Sequence, residues 1–370
     1  MKPLTPGENG NLSKPLPLPS RYLDGSVSLD TPLQIVYHRR YSKGPIWEKI
    51  KRKEVIMERQ TRMRKGWKLI WILALLPLVA WMAPPAMAKD LIAASLANQI
   101  NQAWINMGNG IKHECKQLGY DLLLVDAEDK TAKQIADTED ALTKNPKVLL
   151  LTGVDKGTAQ LIDMAKKKGI PTITLMRDYG GEIVSYIGVD NERIGEMIIE
   201  WYANYLKGRK SKVIIITGTP GAASSVDREK GVNTMLKKYP NIIEVARQSG
   251  YYRREKTLPV AEDLLQRHPD VEAVLGFNDE IAMGTLAAAK AQNRKVIITG
   301  TDGNADALKA IAAGDITMTI AWDFFETGRK GVQFADMVIK GKPVPKKYSP
   351  EVFFVTKENA DQIYKKFGYK

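Results

Sequence analysis

Residues 121–153 read DLLLVDAEDKTAKQIADTEDALTKNPKVLLLTG. Two short apolar runs, 121–127 and 148–153, flank an amphipathic stretch over 131–144. The runs are continuous rather than alternating, as strands buried on both faces of a parallel sheet are. Strand, helix and strand at this spacing predict a right-handed βαβ unit.

The same alternation extends in both directions. Further apolar runs lie at 91–96, 171–176, 184–190, 213–218, 272–279, 296–302 and 318–323. Helical stretches lie at 103–118, 156–168, 191–207, 222–239, 254–267, 279–292 and 304–313. Nine or more strands after residue 89 suit two sheets of ordinary size better than one. The fold class is therefore α/β, with two doubly wound parallel sheets, the second starting near Asp190. Gly119 and the Lys168-Gly169 and Ile170-Pro171 pairs end helices, and Asp155, Asp190 and Asp279 stand where N-caps are expected.

The chain has 370 residues, with 55 Lys and Arg against 42 Asp and Glu, one Cys, and His at 38, 113 and 268. One Cys excludes an intrachain disulfide and a Cys-based zinc site. The His residues are not at metal-ligand spacing, so neither metal nor cofactor is expected. The net charge of +13 is concentrated at the front: residues 1–88 hold 15 basic and 6 acidic residues, the remainder 40 and 36. The body is nearly balanced, and no nucleic-acid partner is expected.

Residues 64–68 read RKGWK, 69–83 read LIWILALLPLVAWMA, and PPAMA (84–88) precedes Lys89. A basic start, a short apolar middle and small residues at Ala86 and Ala88 make a signal peptide over 63–88, cleaved after Ala88. The competing reading, an uncleaved anchor, needs about 20 apolar residues; this run is shorter and interrupted by Pro77. The segment marks the chain for export. Residues 1–62 are rich in Pro, Gly, Ser and charge. They read as a non-native or disordered extension, with translation starting at Met57 or Met63; a basic nucleic-acid arm over His38 to Lys53 is the weaker reading.

In doubly wound folds a ligand binds beyond the carboxyl ends of the strands. The residues there are Asn101, Trp104, Thr152, Asp155, Arg177, Asp178, Asp227, Arg228, Tyr251, Tyr252, Asn278, Asp279, Asp302, Trp322 and Asp323. Helix caps account for some of the carboxylates, but not for two Trp, two Arg and an Asn on one rim. Amides, guanidinium forks and a carboxylate pair hydroxyls, and aromatic faces cover the C–H faces of a sugar ring. The rim reads as a polyhydroxyl cage. Gly218-Thr219-Pro220-Gly221 invites a phosphate-loop reading but lacks the Lys-Ser/Thr ending. Cys115 reads as a buried small residue, and no nucleophile–base–orienter set is present to anchor catalysis.

The segments GYDLLLVDAEDKTAKQIADTEDAL (119–142), KGIPTITL (168–175), GTPGAASSVDREKG (218–231), HPDVEAVLGFNDEIAMGTLAA (268–288) and TGTDGNADALKAI (299–311) carry a resemblance over essentially all of 89–370. The chain resembles the sugar-binding proteins of ABC importers, the type I periplasmic binding proteins typified by ribose-binding protein. The resemblance implies two lobes joined by a three-crossover hinge: 89–189 plus 323–352, and 190–322 plus 353–370. Asn101, Trp104, Arg177, Arg228, Tyr252, Asn278 and Asp302 fall on family contact positions with compatible chemistry. Three positions depart from the ribose pattern: Ala103 where a second aromatic is usual, Met176 where a carboxylate precedes the Arg, and Trp322 in place of a polar amide. These departures point away from ribose, toward a different sugar, a polyol or a less hydroxylated ligand.

The implied function is a monomeric periplasmic receptor that delivers a sugar or polyol to an ABC permease in the inner membrane. The alternative is a ligand-sensing subunit for a chemoreceptor or membrane sensor kinase. A sugar-responsive repressor would carry an N-terminal helix-turn-helix where this chain has a signal peptide. An enzyme on the same scaffold would need the catalytic set that the rim lacks.

Overall fold

The computed structural model describes residues 48–49, 51–63 and 89–369. The signal peptide assigned to 63–88 lies, apart from Met63, outside them. Residues 51–63 form a helix exposed along its length, where the sequence reading expects a disordered extension. The stretch KRKEVIMERQTRM lacks Gly and Pro and is rich in good helix formers, so local propensity supports a helix that buries no face. Among the described residues, no helix is long and apolar enough to cross a membrane.

Residues 89–369 build two six-stranded sheets. The first contains β1 (Leu91–Leu96), β2 (Asp121–Asp126), β3 (Val148–Leu151), β4 (Thr172–Leu175), β5 (Ser185–Ile187) and β11 (Lys347–Tyr348). Its order is β11-β5-β4-β3-β1-β2, all parallel. The second contains β6 (Ser211–Thr217), β7 (Ile242–Ser249), β8 (Ala273–Gly276), β9 (Ile297–Asp302), β10 (Met318–Ala321) and β12 (Phe353–Val355). Its order is β12-β10-β9-β8-β6-β7, with only β12 antiparallel to its neighbour. Both sheets reverse direction beside their first strand, which opens a crevice at the carboxyl ends.

Continuous apolar runs explain the central strands: VLLL, TITL, AVLG and MTIA in β3, β4, β8 and β10 are buried at every residue. The helices are α1 (Gln102–Leu118), α2 (Thr131–Thr143), α3 (Gln160–Lys167), α4 (Asn191–Leu206), α5 (Ala223–Lys238), α6 (Arg254–Arg267), α7 (Asp279–Ala291), α8 (Ala305–Ala313), α9 (Phe324–Ile339) and α10 (Ala360–Lys366). The chain passes from one sheet to the other after β5, after β10 and after β11. After the second passage α9 packs on α1, where Arg329 Nε meets the buried Glu114 carboxylate at 2.7 Å. Gly328 makes that approach possible, since a Cβ there would lie 2.1 Å from the Met107 carbonyl oxygen.

Five elements were absent from the sequence reading: β7, β11, β12, α9 and α10. β7 is an edge strand, IIEVARQS, of mixed burial, so it has no continuous apolar run. α9 carries Gly328 and Gly331 in its interior, which weaken its local helical signal.

Candidate functional site

At the mouth of the crevice eleven residues wall a small cavity. All eight sequence-selected residues line it: Asn101, Trp104, Arg177, Arg228, Tyr252, Asn278, Asp302 and Trp322. Met176, Ser224 and Phe324 complete the wall, and the most exposed of the eleven is Trp104 at 8%.

Asn101 caps α1, its Oδ1 accepting from Ala103 N at 2.9 Å, which leaves the amide nitrogen as its donor. Trp104 follows on the first turn and meets Phe324 edge-on at 5.6 Å. Phe324 also packs on Trp322 at 5.4 Å, and so supplies the second aromatic wall that Ala103 does not. Arg177 follows β4, and its Nη1 donates to the carbonyls of Gly153 and Val154 at 2.7 and 2.9 Å. Its guanidinium lies 5.2 Å from the Trp104 ring centroid and 5.9 Å from that of Tyr252, within cation–π range.

Arg228 stands on α5. Its Nε donates to Asn191 Oδ1 at 3.0 Å, and its Nη1 to Thr301 Oγ1 at 2.9 Å and to the Phe277 carbonyl. It lies 5.9 Å from the Tyr252 ring and 5.7 Å from the Trp322 ring. Tyr252 is positioned by Gly218: a Cβ at 218 would fall 2.0 Å from the Tyr252 ring, so the GTPG turn serves close approach to an aromatic. Trp322 is 1% exposed, and its indole Nε1 has no hydrogen-bond partner.

Asn278 caps α7, accepting from Ile281 N at 3.0 Å and donating to Asp302 Oδ2 at 3.3 Å. Here the structure corrects the sequence reading, which gave the cap to Asp279. Asp279 is instead fully buried and accepts from Gly303 N, Asn304 N and Thr319 Oγ1 at 2.8, 2.7 and 2.6 Å. Asp302 makes no cap to α8, whose N-cap is Asn304, and it lines the cavity. Burial pushes the Asp302 carboxyl up to about 7, against the pull of Arg228. Three of the wall residues, Met176, Tyr252 and Asp302, have φ of 62°, 58° and 122°, strained backbone of the kind that clusters at binding sites.

Thr152, Asp155 and Asp323 of the rim serve the scaffold, whereas Tyr251 is exposed. Thr152 Oγ1 donates to the Leu175 carbonyl at 3.0 Å. Asp155, Asp190 and Asp323 cap helical turns through Gly157, Arg193 and Glu326. Cys115 is buried, which raises its thiol to about 12. The sequence reading missed Ser224 and Phe324; Phe324, two residues beyond Trp322 and next to the Asp323 cap, carried the clearer signal.

Contacts between the lobes close the cavity. Arg253 meets Asp129 at 3.0 Å, Ala223 N donates to Tyr179 Oη at 3.4 Å, and Asn106 Nδ2 to Tyr369 Oη at 3.1 Å.

Residues 92–343 match the periplasmic binding protein domain. The chain belongs to the periplasmic binding protein family. The ribose import binding protein RbsB of Escherichia coli K12 is 34% identical over 295 residues, covering 79% of this chain and 99% of that protein. The D-allose-binding periplasmic protein of Escherichia coli K12 is 30% identical over 280 residues, 72% of this chain and 90% of that one. Among solved structures, an ABC transporter solute binding protein from Mycobacterium smegmatis with bound glycerol is 31% identical, with a TM-score of 0.71 over 74% of this chain and 96% of that one. The two-sheet architecture is that of this family's type I members.

Proposed function

We propose that the protein is an exported receptor that captures a sugar or polyol between its lobes and delivers it to an ABC permease of the inner membrane. The lining of the cavity carries the reading: four aromatic walls, two guanidinium groups, two amides and one carboxylate converge on one site. Aromatic faces suit the C–H faces of such a ligand, and the planar polar groups suit its hydroxyls. Relatives named for ribose and D-allose, and a solved neighbour holding glycerol, support the same class. Binding rather than chemistry is the activity. The lobes open to admit ligand and close over it, and the closed monomer is the form the permease reads.

A thermal-shift screen of the purified protein against pentoses, hexoses, polyols and their acids tests this. A ligand at 100 times its dissociation constant adds about 2.7 kcal/mol to stability. No shift with any member of the screen would contradict the reading.

A further inference from the structure

The fixed charges around the cavity do not balance. Arg177 and Arg228 are each 3% exposed, and neither joins a salt bridge among the described residues. Their partners are neutral: the carbonyls of Gly153, Val154 and Phe277, the Asn191 amide and the Thr301 hydroxyl. The one carboxylate in the wall is Asp302, and the buried Asp279 stands behind it. Burial raises both acids, and their mutual repulsion disfavours two charges there. Two cations thus face about one anion.

The imbalance is local to the first lobe. Arg177 Nε is buried without a partner, and the residue beside it in the wall is the thioether Met176. The indole Nε1 of Trp322 is a second buried donor without an acceptor. A buried cation without a counter-charge is costly, and so is an unpaired donor. A carboxylate answers both, since it brings charge and several lone pairs, and it pairs with a guanidinium more strongly than a hydroxyl does.

We propose that the ligand is a hydroxylated acid, an aldonate- or uronate-like molecule, whose carboxylate pairs with Arg177 beside Met176 and whose hydroxyls face Asp302 and Asn278. This rests on the sugar-or-polyol reading of the same cavity and names its subclass. Met176 is then the residue that selects charge, by leaving Arg177 without a protein counter-ion.

Isothermal titration calorimetry with matched pairs tests it: glycerol against glycerate, ribose against ribonate, glucitol against gluconate, and glucose against glucuronate. The acid of at least one pair should bind about tenfold or more tighter than its neutral partner. Met176→Asp, which places a carboxylate beside Arg177, should abolish that preference, the acid losing about tenfold or more affinity relative to its neutral partner. Met176→Leu should retain the preference. In the unaltered protein, neutral members that bind as tightly as their acids in every pair that binds would overturn the proposal and leave the sugar-or-polyol reading standing. Equal losses for acid and neutral ligand in Met176→Asp would overturn it too. If no member of any pair binds, the thermal-shift screen decides: a shift with neutral sugars or polyols alone overturns this proposal, and no shift at all removes both readings.

Discussion

Arg253 of the second lobe meets Asp129 of the first at 3.0 Å, with only 21% and 23% of the two side chains exposed. The other oxygen of Asp129 accepts from Asn98 Nδ2 at 2.7 Å, so the carboxylate is held ready on its own lobe. Arg253 also reaches Glu255 on its own side. The Asp129 contact forms only when the lobes are together, and it therefore favours closure.

Asp129→Asn is accordingly expected to weaken ligand binding by about fivefold, in keeping with the ~1 kcal/mol of a partly exposed pair. The melting temperature without ligand should stay nearly unchanged. Calorimetry and a thermal melt of the same variant check both halves; unaltered affinity would show that the pair does not bias closure.

Asp302 and Arg228 should respond differently to truncation. Asp302→Ala removes a cavity acceptor that Asn278 holds, so affinity should fall about tenfold or more while the fold persists. Arg228→Ala also breaks ties to Asn191, Thr301 and Phe277, so it should lower both affinity and the ligand-free melting temperature. A variant pair with equal melting temperatures would contradict this division.

The raised Asp302 carboxyl carries a pH signature. Its pKa rises from an ordinary 3.8 to about 7 on folding, so between those values the folded state holds more protons than the unfolded chain. The stabilisation from this group is complete below about pH 4 and is lost as pH rises through 7. The ligand-free protein should therefore lose stability over that window, and Asp302→Asn should flatten the slope. Denaturant titrations across the window measure it, and an unchanged slope in the variant would refute the assignment.

Gly218→Ala should displace the Tyr252 ring, since the added methyl would meet it at 2.0 Å. Affinity should fall about tenfold, as for other lost aromatic contacts in a buried site, with the sheet hydrogen bonds of β6 intact. Circular dichroism together with a binding titration distinguishes this from unfolding.

Much of this was legible in the chain. β3, β4, β8 and β10 announce themselves as uninterrupted apolar runs because both faces of each strand are covered. The rim of the cavity follows from them, because Arg177, Asn278, Asp302 and Trp322 stand at or just beyond strand ends. β7 was hidden because an edge strand needs no apolar run, and α9 because its glycines serve packing on α1 rather than helix propensity. Asn278 and Asp279 can each cap a helix. Only the fold, by bringing the Gly303 and Asn304 amides to Asp279, separates their roles. The missing partners of Arg177 Nε and Trp322 Nε1 are likewise facts of three-dimensional placement.

The claim that ligand enters the cavity between the lobes is tested most directly by intrinsic fluorescence. After residue 88 the chain has three Trp, at 104, 201 and 322. Trp104 and Trp322 line the cavity, whereas Trp201 lies on α4 stacked against Tyr205 at 5.5 Å. Titration with the tightest ligand from the screen should change the emission of the unaltered protein and of Trp201→Phe. The change should vanish in the Trp104→Phe, Trp322→Phe double variant. A signal that survives the double variant and disappears only in Trp201→Phe would contradict the account.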